Sequence, residues 1–169
     1  GYEYQESHTA DPTWGGLPTW YSDGSKTHYN RSQTVAPDWA YSDKDSTRIF
    51  ANLTQRFDNG WEAHINGMHA ETNFDSKLMY MSGYPDKETG AGLVGYGGWN
   101  RGERKQDAVD AFLRGGFDLF GRQHEMMFGG SFSRQRNHYD NSMPDAVYGM
   151  VDVGNFKNWN GNIADPQWT

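Results

Sequence analysis

Residues 57 to 67 read FDNGWEAHING, with an Asp-Asn-Gly triplet between two aromatic residues, Phe57 and Trp61. Asn and Gly tolerate positive φ, and an Asp side chain can hydrogen-bond the neighbouring backbone, so the triplet is a turn signal. The chain alternates apolar and polar residues on both sides of the triplet, which is typical of β-strands. The stretch therefore predicts a β-hairpin that carries two large aromatic side chains at its closed end.

We place this first hairpin at about residues 45–75. The apolar residues stand at odd positions on both sides of the turn, and this determines the expected register. Pairing Phe57 with Trp61 puts Leu53 opposite Ile65, so that one face is apolar throughout. Gln55 and Phe50 are exceptions to the alternation. The apolar face comprises Ile49, Ala51, Leu53, Phe57, Trp61, Ala63, Ile65 and Gly67, and the polar face comprises Arg48, Asn52, Thr54, Arg56, Glu62, His64 and Asn66.

A second hairpin, at about residues 105–137, repeats this plan. The sequence FGRQ at 120–123 is expected to turn the chain between its two strands. Asp110, Arg114 and Asp118 alternate with apolar residues before the turn, and Glu125, Ser131, Ser133 and Gln135 do so after it. Its apolar face comprises Val109, Ala111, Leu113, Gly115, Phe117, Leu119, His124, Met126, Phe128, Gly130 and Phe132.

The connections between the predicted strands are unequal in length. Two short turns alternate with long Gly-, Asp-, Tyr- and Trp-rich segments, expected at about 8–40, 73–105 and from 138 onward. Loops longer than about 12–15 residues are uncommon in compact soluble domains but normal on one side of an outer-membrane barrel. In such a barrel, Phe57, Trp61 and Phe120 would lie at the membrane interface on the periplasmic side.

Composition narrows the class of protein. The chain has 169 residues, which suits one domain, and no cysteine, which excludes disulfides and thiolate metal sites. A formal charge of −7 argues against a nucleic-acid partner. Aromatic residues make up 15% of a chain that is only 35% hydrophobic, and disordered chains are poor in aromatic residues. The sequence contains no continuous apolar run of the roughly 18 residues that a membrane helix needs.

A soluble, Trp-rich β-sandwich that binds carbohydrate or protein is the alternative. Its strands would also alternate, but its inward face would need bulky aliphatic residues. Here that face is diluted by small residues such as Ala51, Ala63, Gly115 and Gly130, which would leave cavities in a packed core. Dependence on lipid or detergent separates the two interpretations, since a sandwich would purify without detergent as a compact monomer.

The chain resembles the barrel of TonB-dependent ferric-siderophore receptors over nearly its whole length. Within that family the closest likeness is to receptors for ferric coprogen, ferric rhodotorulic acid and related hydroxamates. The ordered series G-x-x-Y-Q, G-L-P, A-P-x-W and D-N-G-W carries the resemblance. The matching stretches are GYEYQES at 1–7, GGLPTWYSDGS at 15–25, APDWAYSDKDSTRIFANLTQRFDNGWEAHINGMHAETNFDS at 36–76 and GGSFSRQ at 129–135.

The resemblance implies a 22-stranded transmembrane β-barrel around a plug, and energy-dependent uptake of iron chelates through the outer membrane. We expect this chain to be an all-β antiparallel meander of about five strands, the first at Tyr2 to Glu6, within that barrel. It carries no plug domain, TonB box or signal-peptide pattern, so we expect a barrel fragment that does not transport alone. The implied partners are a ferric hydroxamate siderophore, outer-membrane lipid, and TonB through the absent plug region.

Aromatic residues and arginine in the long segments are the candidate siderophore contacts. Rings give contact area at low entropy cost, and arginine gives hydrogen-bond donors to carbonyl oxygens. Packing of the loops against one another or the rim is the alternative role for each ring. The candidates are Trp20, Tyr21, Tyr96, Trp99, Arg101 and Trp159.

Enzymatic and metal-binding roles find no support in the sequence. The chain lacks nucleophile, phosphate-loop and metalloprotease motifs, and acids such as Asp43, Asp45 and Asp58 have no partner with a defined role. His64 and His69, five residues apart, should face opposite sides of a strand. His124 is expected at a turn, and His8, His28 and His138 are expected to be isolated in loops. We expect no cofactor, because the chelate itself coordinates the iron.

The sequence also predicts structural roles for a loop segment and for the polar side chains of the hairpins. YSDGS at 21–25 is predicted to form a turn. The polar side chains of the hairpins should point into the barrel, where charges can pair with each other or with a plug. These are Arg48, Asn52, Arg56, Glu62, Asn66, Asp110, Arg114 and Asp118.

Overall fold

The computed structural model describes residues 1–144 and 151–169 and contains one antiparallel sheet. Its five long strands are β1 (Tyr2–Ala10), β2 (Tyr41–Arg56), β3 (Glu62–Ser82), β4 (Val94–Leu119) and β5 (Arg122–Ser142). They lie side by side in chain order, and the short β6 (Val151–Asp152) pairs with β4. A 3₁₀ helix spans Phe156–Asn158. The predicted all-β meander of five strands is confirmed.

The turn between β2 and β3 has the predicted geometry. The Phe57 amide donates to the Trp61 carbonyl at 2.8 Å, and the Gly60 amide donates to the Phe57 carbonyl at 3.0 Å. Gly60 has a φ of 82°, in the left-handed region that favours glycine. The Asn59 side chain accepts from the Trp61 amide at 3.2 Å. The Asp-Asn-Gly triplet thus closes a three-residue hairpin loop between the two aromatic residues.

The turn between β4 and β5 is tighter than the four residues FGRQ predicted. Arg122 and Gln123 already belong to β5, so only Phe120 and Gly121 form the loop. Both have positive φ, 53° and 73°, as a two-residue type I′ turn requires. The Phe120 side chain is 94% exposed at the tip. A phenylalanine in this conformation is unusual, which is why the sequence did not indicate a two-residue turn.

The strands extend well beyond the predicted hairpins, so the long connection expected at 73–105 is wrong. β3 continues to Ser82 and β4 begins at Val94, which leaves only 83–93 as the connection. The added residues of β4, 94–104, include four glycines, which weaken the strand signal in sequence although Tyr and Trp favour strands. β1 also reaches Ala10 and β5 reaches Ser142, both inside segments expected to be loops.

The chain forms two compact units. Unit 1 contains residues 1–6, 45–73 and 103–138, which are parts of the five long strands and the two short turns. Large apolar side chains lie exposed on its strands. Examples are Ile49, Leu53, Ile65, Val109, Phe128 and Phe132, each between 45% and 63% exposed. Such a surface needs a partner to cover it in water.

Unit 2 contains residues 7–44, 74–102 and 139–169. Its core joins β3 and the 83–93 connection to two loop segments that are distant in sequence. The buried cluster comprises Val35, Met79, Met81, Leu93, Val153 and Phe156. Long loops are therefore folded on a core of their own rather than left open.

No helix among the described residues has the length and apolar character needed to cross a membrane.

Candidate functional site

Hydrogen bonds across the strands of unit 1 fix which side chains share a face. Thr54 on β2 lies 3.1 Å from His64 on β3, and the Asn66 amide donates to Asp110 on β4 at 2.7 Å. The His64 ring stacks on Phe112 of β4 with centroids 4.4 Å apart. These residues stand on the face that the sequence predicts to be polar. The observed contacts agree with a register in which Leu53 lies opposite Ile65.

Charged residues on the polar face of unit 1 neutralise each other. Glu62, whose side chain is 14% exposed, accepts from Arg114 at 3.3 Å and from Arg56 at 3.4 Å, and it also contacts His64. Arg48 forms an ion pair with Glu3 of β1 at 2.7 Å. Paired charges of this kind suit a wet interior and would be costly against lipid.

The apolar face of unit 1 is built around close packing of Trp61. A Cβ atom placed on Gly115 of β4 would overlap the Trp61 indole, so the ring lies flat across the glycine backbone. By contrast, a Cβ on Gly130 of β5 would meet nothing within 4 Å. Trp61 and Phe57 thus stand at the closed end of an exposed apolar surface, and their place at a membrane interface stays a prediction.

Trp99 and Arg101 lie in strand β4 and not in a loop, contrary to the sequence prediction. The Arg101 guanidinium stacks over the Trp99 ring at 3.8 Å and donates to Asp140 of β5 at 2.5 Å. The Trp99 indole N–H donates to Asp75 of β3 at 2.7 Å. Both side chains therefore have partners within unit 2, and their contact with a ligand stays a prediction.

The side chains of Lys77 and Tyr41 complete this cluster. The sequence did not indicate either residue as part of it. The Lys77 ammonium lies 4.9 Å from the Trp99 ring and 5.4 Å from the Trp168 ring, and it bonds Asp165 at 2.7 Å. Tyr41, in unit 2 and outside the apolar surface of unit 1, donates its hydroxyl to Asp75 at 2.9 Å. Burial, followed by that hydrogen bond, raises the pKa of Tyr41 to about 12.

Tyr21 and Trp159, two other predicted contacts, pack against the core of unit 2. The Trp159 indole donates to the Ala36 carbonyl at 2.7 Å. The Tyr21 amide donates to the Ser25 carbonyl at 2.8 Å and closes the YSDGS turn, with Gly24 at a φ of 80°. The turn prediction is confirmed. Both rings pack on this core, and their contact with a ligand stays a prediction.

Trp20 and Tyr96 remain accessible in unit 2, with 50% and 41% of their surface exposed. Trp20 pairs with Lys26 across the YSDGS turn, and Tyr96 lies in β4. Sequence analysis missed three further exposed rings of this unit, Trp14, Tyr80 and Tyr84, which are 51%, 48% and 62% exposed. Trp14 and Tyr84 stand next to glycines in the sequence, at 15 and 83, which was the available signal for these two rings, since glycine lets backbones and rings approach closely.

The histidines do not converge. His8 lies in β1 and contacts Asp43 at 2.5 Å, and His69 contacts Asp107 at 2.7 Å. His124 and His138 lie in β5, so of the three expected in loops only His28 is in one. Residues 1–144 and 151–169 contain no group of three or more His, Asp or Glu arranged to hold a metal ion.

The amino-acid sequence of this chain is similar to those of known receptors. The chain is 35% identical over 174 residues to the ferric-pyoverdine BN7/BN8 receptor of Pseudomonas putida, covering 98% of this chain and 21% of that receptor. It is 29% identical to the ferripyoverdine receptor of Pseudomonas aeruginosa, covering 99% of this chain and 20% of that one. The chain thus spans about a fifth of the length of these relatives. No protein-family model matches it.

Solved structures of such receptors contain a region with the same fold as this chain. The ferripyoverdine receptor of the outer membrane of Pseudomonas aeruginosa, bound to ferripyoverdine, superposes with a TM-score of 0.84 at 26% identity, covering 99% of this chain and 22% of that one. The chain has the fold of a receptor barrel wall. A structure of an FpvAI–pyocin S2 complex superposes on this barrel-wall segment with a TM-score of 0.81 at 25% identity, covering 98% and 21% of the two chains.

The relatives also bear on the finer expectations. They are receptors and not enzymes, in agreement with the sequence analysis. These receptors are named for ferric pyoverdine, so the closer likeness of the segment to coprogen receptors finds no support.

Proposed function

We propose that the chain forms part of the wall of an outer-membrane receptor that takes up a ferric siderophore, with energy from TonB acting through a plug. The observation that carries the proposal is the division of unit 1 into an exposed apolar face and a face of paired charges. Lipid outside and water inside a barrel demand this division. The match of nearly the whole chain to receptor barrels supports the same conclusion.

The ligand class follows from the relatives. We propose a ferric chelate of the pyoverdine class, because the receptors that share this segment are named for ferric pyoverdine. In this proposal the chelate itself supplies the iron ligands. The coprogen type of hydroxamate chelate, expected from the sequence, becomes the competing ligand in the test.

The test uses the full-length receptor that contains this chain, purified in detergent. Equilibrium binding of ferric pyoverdine and of ferric coprogen is measured on the same preparation, with folding checked by heat-modifiable gel mobility. The proposal predicts tight binding of ferric pyoverdine and much weaker binding of ferric coprogen. Binding of ferric coprogen alone would restore the hydroxamate interpretation, and binding of neither chelate would contradict the siderophore function.

A further inference from the structure

The apolar face of unit 1 changes abruptly to a charged face along β4 and β5. We call this face, with its continuation along the same strands, the outer face. On β4 its last apolar residue is Val109, and the next residue of the outer face is Asp107. On β5 its last apolar residue is Phe132, and the next three residues of the outer face are all basic. These three, which we call the basic row, are Arg134, Arg136 and His138.

The turn between β4 and β5 aligns the two changes. Phe117 and His124, on either side of the two-residue loop, stack with ring centroids 5.4 Å apart. The register that this contact indicates places Val109 opposite Phe132, and Asp107 opposite the first residue of the basic row. The apolar surface therefore ends at the same level on both strands.

This level matches the edge of a hydrocarbon layer. The apolar stretch of β4 from Val109 to Leu119 is 11 residues long, and a tilted strand crosses the hydrocarbon core in about 9–11 residues. Two residues add about 7 Å along a strand, so Arg134 would stand just beyond the hydrocarbon. Because the short turns of a receptor barrel lie on the periplasmic side, the basic row would be level with the head groups of the outer leaflet.

The same stretch of β5 carries no charge on its opposite face. The residues that alternate with the basic row are Ser133, Gln135 and Asn137. Charges inside a barrel can pair with one another or with a plug, but side chains of the outer face point away from the interior. The basic row is therefore directed at the surroundings of the barrel.

The carboxylate beside the basic row is shared among several bases. Asp107 lies 2.7 Å from His69 of β3 and 3.8 Å from Arg136, and Arg134 also acts on its charge. The Arg136 side chain is 62% exposed. One carboxylate that is already bonded to His69 leaves the two guanidinium charges incompletely neutralised.

The other two acidic residues of this region are engaged by a lysine. Lys105 of β4 bonds Glu103 at 2.7 Å and approaches Glu71 of β3 at 3.7 Å. His138 of the basic row stands near Glu103. The acidic charge thus belongs to β3 and β4, and the positive charge that remains lies along β5 at Arg134 and Arg136.

We propose that the basic row and the apolar surface beside it bind an anionic lipid of the outer leaflet through its phosphate group. The guanidinium forks of Arg134 and Arg136 match phosphate oxygens, and basic residues at this depth attract anionic head groups. Val109 and Phe132, 45% and 63% exposed, offer the adjoining contact for acyl chains. The inference rests on the proposed function, because it requires a barrel wall in the outer membrane.

The test uses the full-length receptor in neutral detergent micelles, with bound lipid counted by native mass spectrometry. The probe is dioleoyl phosphatidic acid, and the control lipid is dioleoylglycerol, which lacks only the phosphate. We expect the parent to retain phosphatidic acid about tenfold better than the glyceride. Inorganic phosphate, the free form of the same group, should not compete, because it lacks the acyl chains.

Three double variants locate the effect, each checked for folding by heat-modifiable gel mobility. Arg134→Gln with Arg136→Gln should lower the retention of phosphatidic acid about tenfold or more, because two cations near the head groups are lost. Arg134→Lys with Arg136→Lys should recover most of it. Arg48→Gln with Arg56→Gln makes the same change in net charge on the wet face of β2 and should stay within about twofold of the parent.

Loss of the preference for phosphatidic acid in the glutamine pair at 134 and 136, with the control pair unchanged, supports the inference. Equal retention of the two lipids by the parent, or unchanged retention in that glutamine pair, overturns it. Competition by inorganic phosphate also overturns it and assigns the basic row to a soluble anion. Binding of ferric pyoverdine to the same preparation tests the proposed function separately, so the two failures are distinguishable.

Discussion

The Phe57 amide donates to the Trp61 carbonyl at 2.8 Å, and this single bond sets the register of the β2–β3 hairpin. From it, Leu53 stands opposite Ile65 on the apolar face, and Thr54 opposite His64 on the polar face, where the observed separation is 3.1 Å. The two rings at the hairpin end then mark one boundary of the surface that lipid would cover.

Arginine on the two faces of β2 should have unequal effects. We expect Leu53→Arg in the full-length receptor to lower the free energy of unfolding by roughly 2–4 kcal/mol, if position 53 is near the membrane midplane. Asn52→Arg should cost far less, because its side chain points to the wet face. Denaturant titration of the receptor refolded in lipid vesicles measures both. Equal losses at 52 and 53 would show that the register is wrong.

Gly115 should tolerate no side chain, because the Trp61 ring occupies the place of its Cβ. We expect Gly115→Ala to destabilise the barrel by about 1–3 kcal/mol through displacement of that ring. Gly130→Ala is the matched control, since the site of its Cβ is open. The same titration, read by Trp fluorescence, compares them, and a Gly115→Ala variant as stable as Gly130→Ala would rule out this packing.

Lys77 should hold the 165–169 segment against β3 and β4. It bonds Asp165 and approaches the rings of Trp99 and Trp168, so Lys77→Met removes an ion pair and two cation–π contacts. We expect hydrogen exchange of residues 165–169 in the full-length receptor to rise by roughly tenfold. Lys44→Met, at an exposed site in unit 2, serves as the control. An equal exchange rate in both variants would show that the cluster does not restrain the segment.

Acid should weaken the connection between β3 and β4 through Asp86. The Thr89 amide, the Thr89 hydroxyl and the Glu88 amide donate to its carboxylate at 2.8, 2.9 and 3.0 Å, and these bonds hold the pKa of Asp86 below its ordinary value. A lowered folded pKa means that the stabilisation is present above the unfolded pKa of about 3.9 and is lost as pH falls through the folded value.

The comparison for Asp86 is with Asp86→Asn, which keeps the shape of the side chain without its charge. Denaturant midpoints of the full-length receptor are measured at neutral pH and at several values below about pH 4. As the pH falls over the acid range, the denaturant midpoint of the parent should decrease more than that of Asp86→Asn. Parallel pH profiles for the two proteins would exclude this role of Asp86.

The sequence predicted the hairpin ends well and the open ends poorly. The Asp-Asn-Gly turn, the Ser-Asp-Gly turn and the two-residue alternation are local, so they were visible in the sequence. The start of β4 at Val94 was not visible, because glycines interrupt the alternation at 95, 97, 98 and 102. The extension of β3 to Ser82 was not visible either, because residues 78–81 (LMYM) are all apolar and do not alternate. A strand interior rich in glycine gains its order from neighbouring strands, which a local pattern does not contain.

The candidate site depended on contacts between distant residues. Trp159 bonds the Ala36 carbonyl, and Gln33 donates to the Phe156 carbonyl at 3.0 Å, in each case across 123 positions of the chain. Such contacts decide which rings are buried, and composition alone gives no information on them. The sequence therefore identified aromatic residues as a class but did not separate Trp159, which packs, from Trp20, which lines a cleft.

The most direct test of the barrel wall is a cysteine scan of the first hairpin in the full-length receptor, in native outer-membrane vesicles. This chain has no cysteine, so once any cysteine outside it has been replaced by serine, each single substitution from 49 to 56 and from 62 to 67 reports its own position. A spin label at each site is measured for collision with oxygen, which is enriched in lipid, and with a water-soluble nickel complex. If this hairpin is part of a barrel wall, we expect oxygen maxima at odd positions and nickel maxima at even positions. Equal access to the nickel complex at all positions, without a two-residue period, would contradict it.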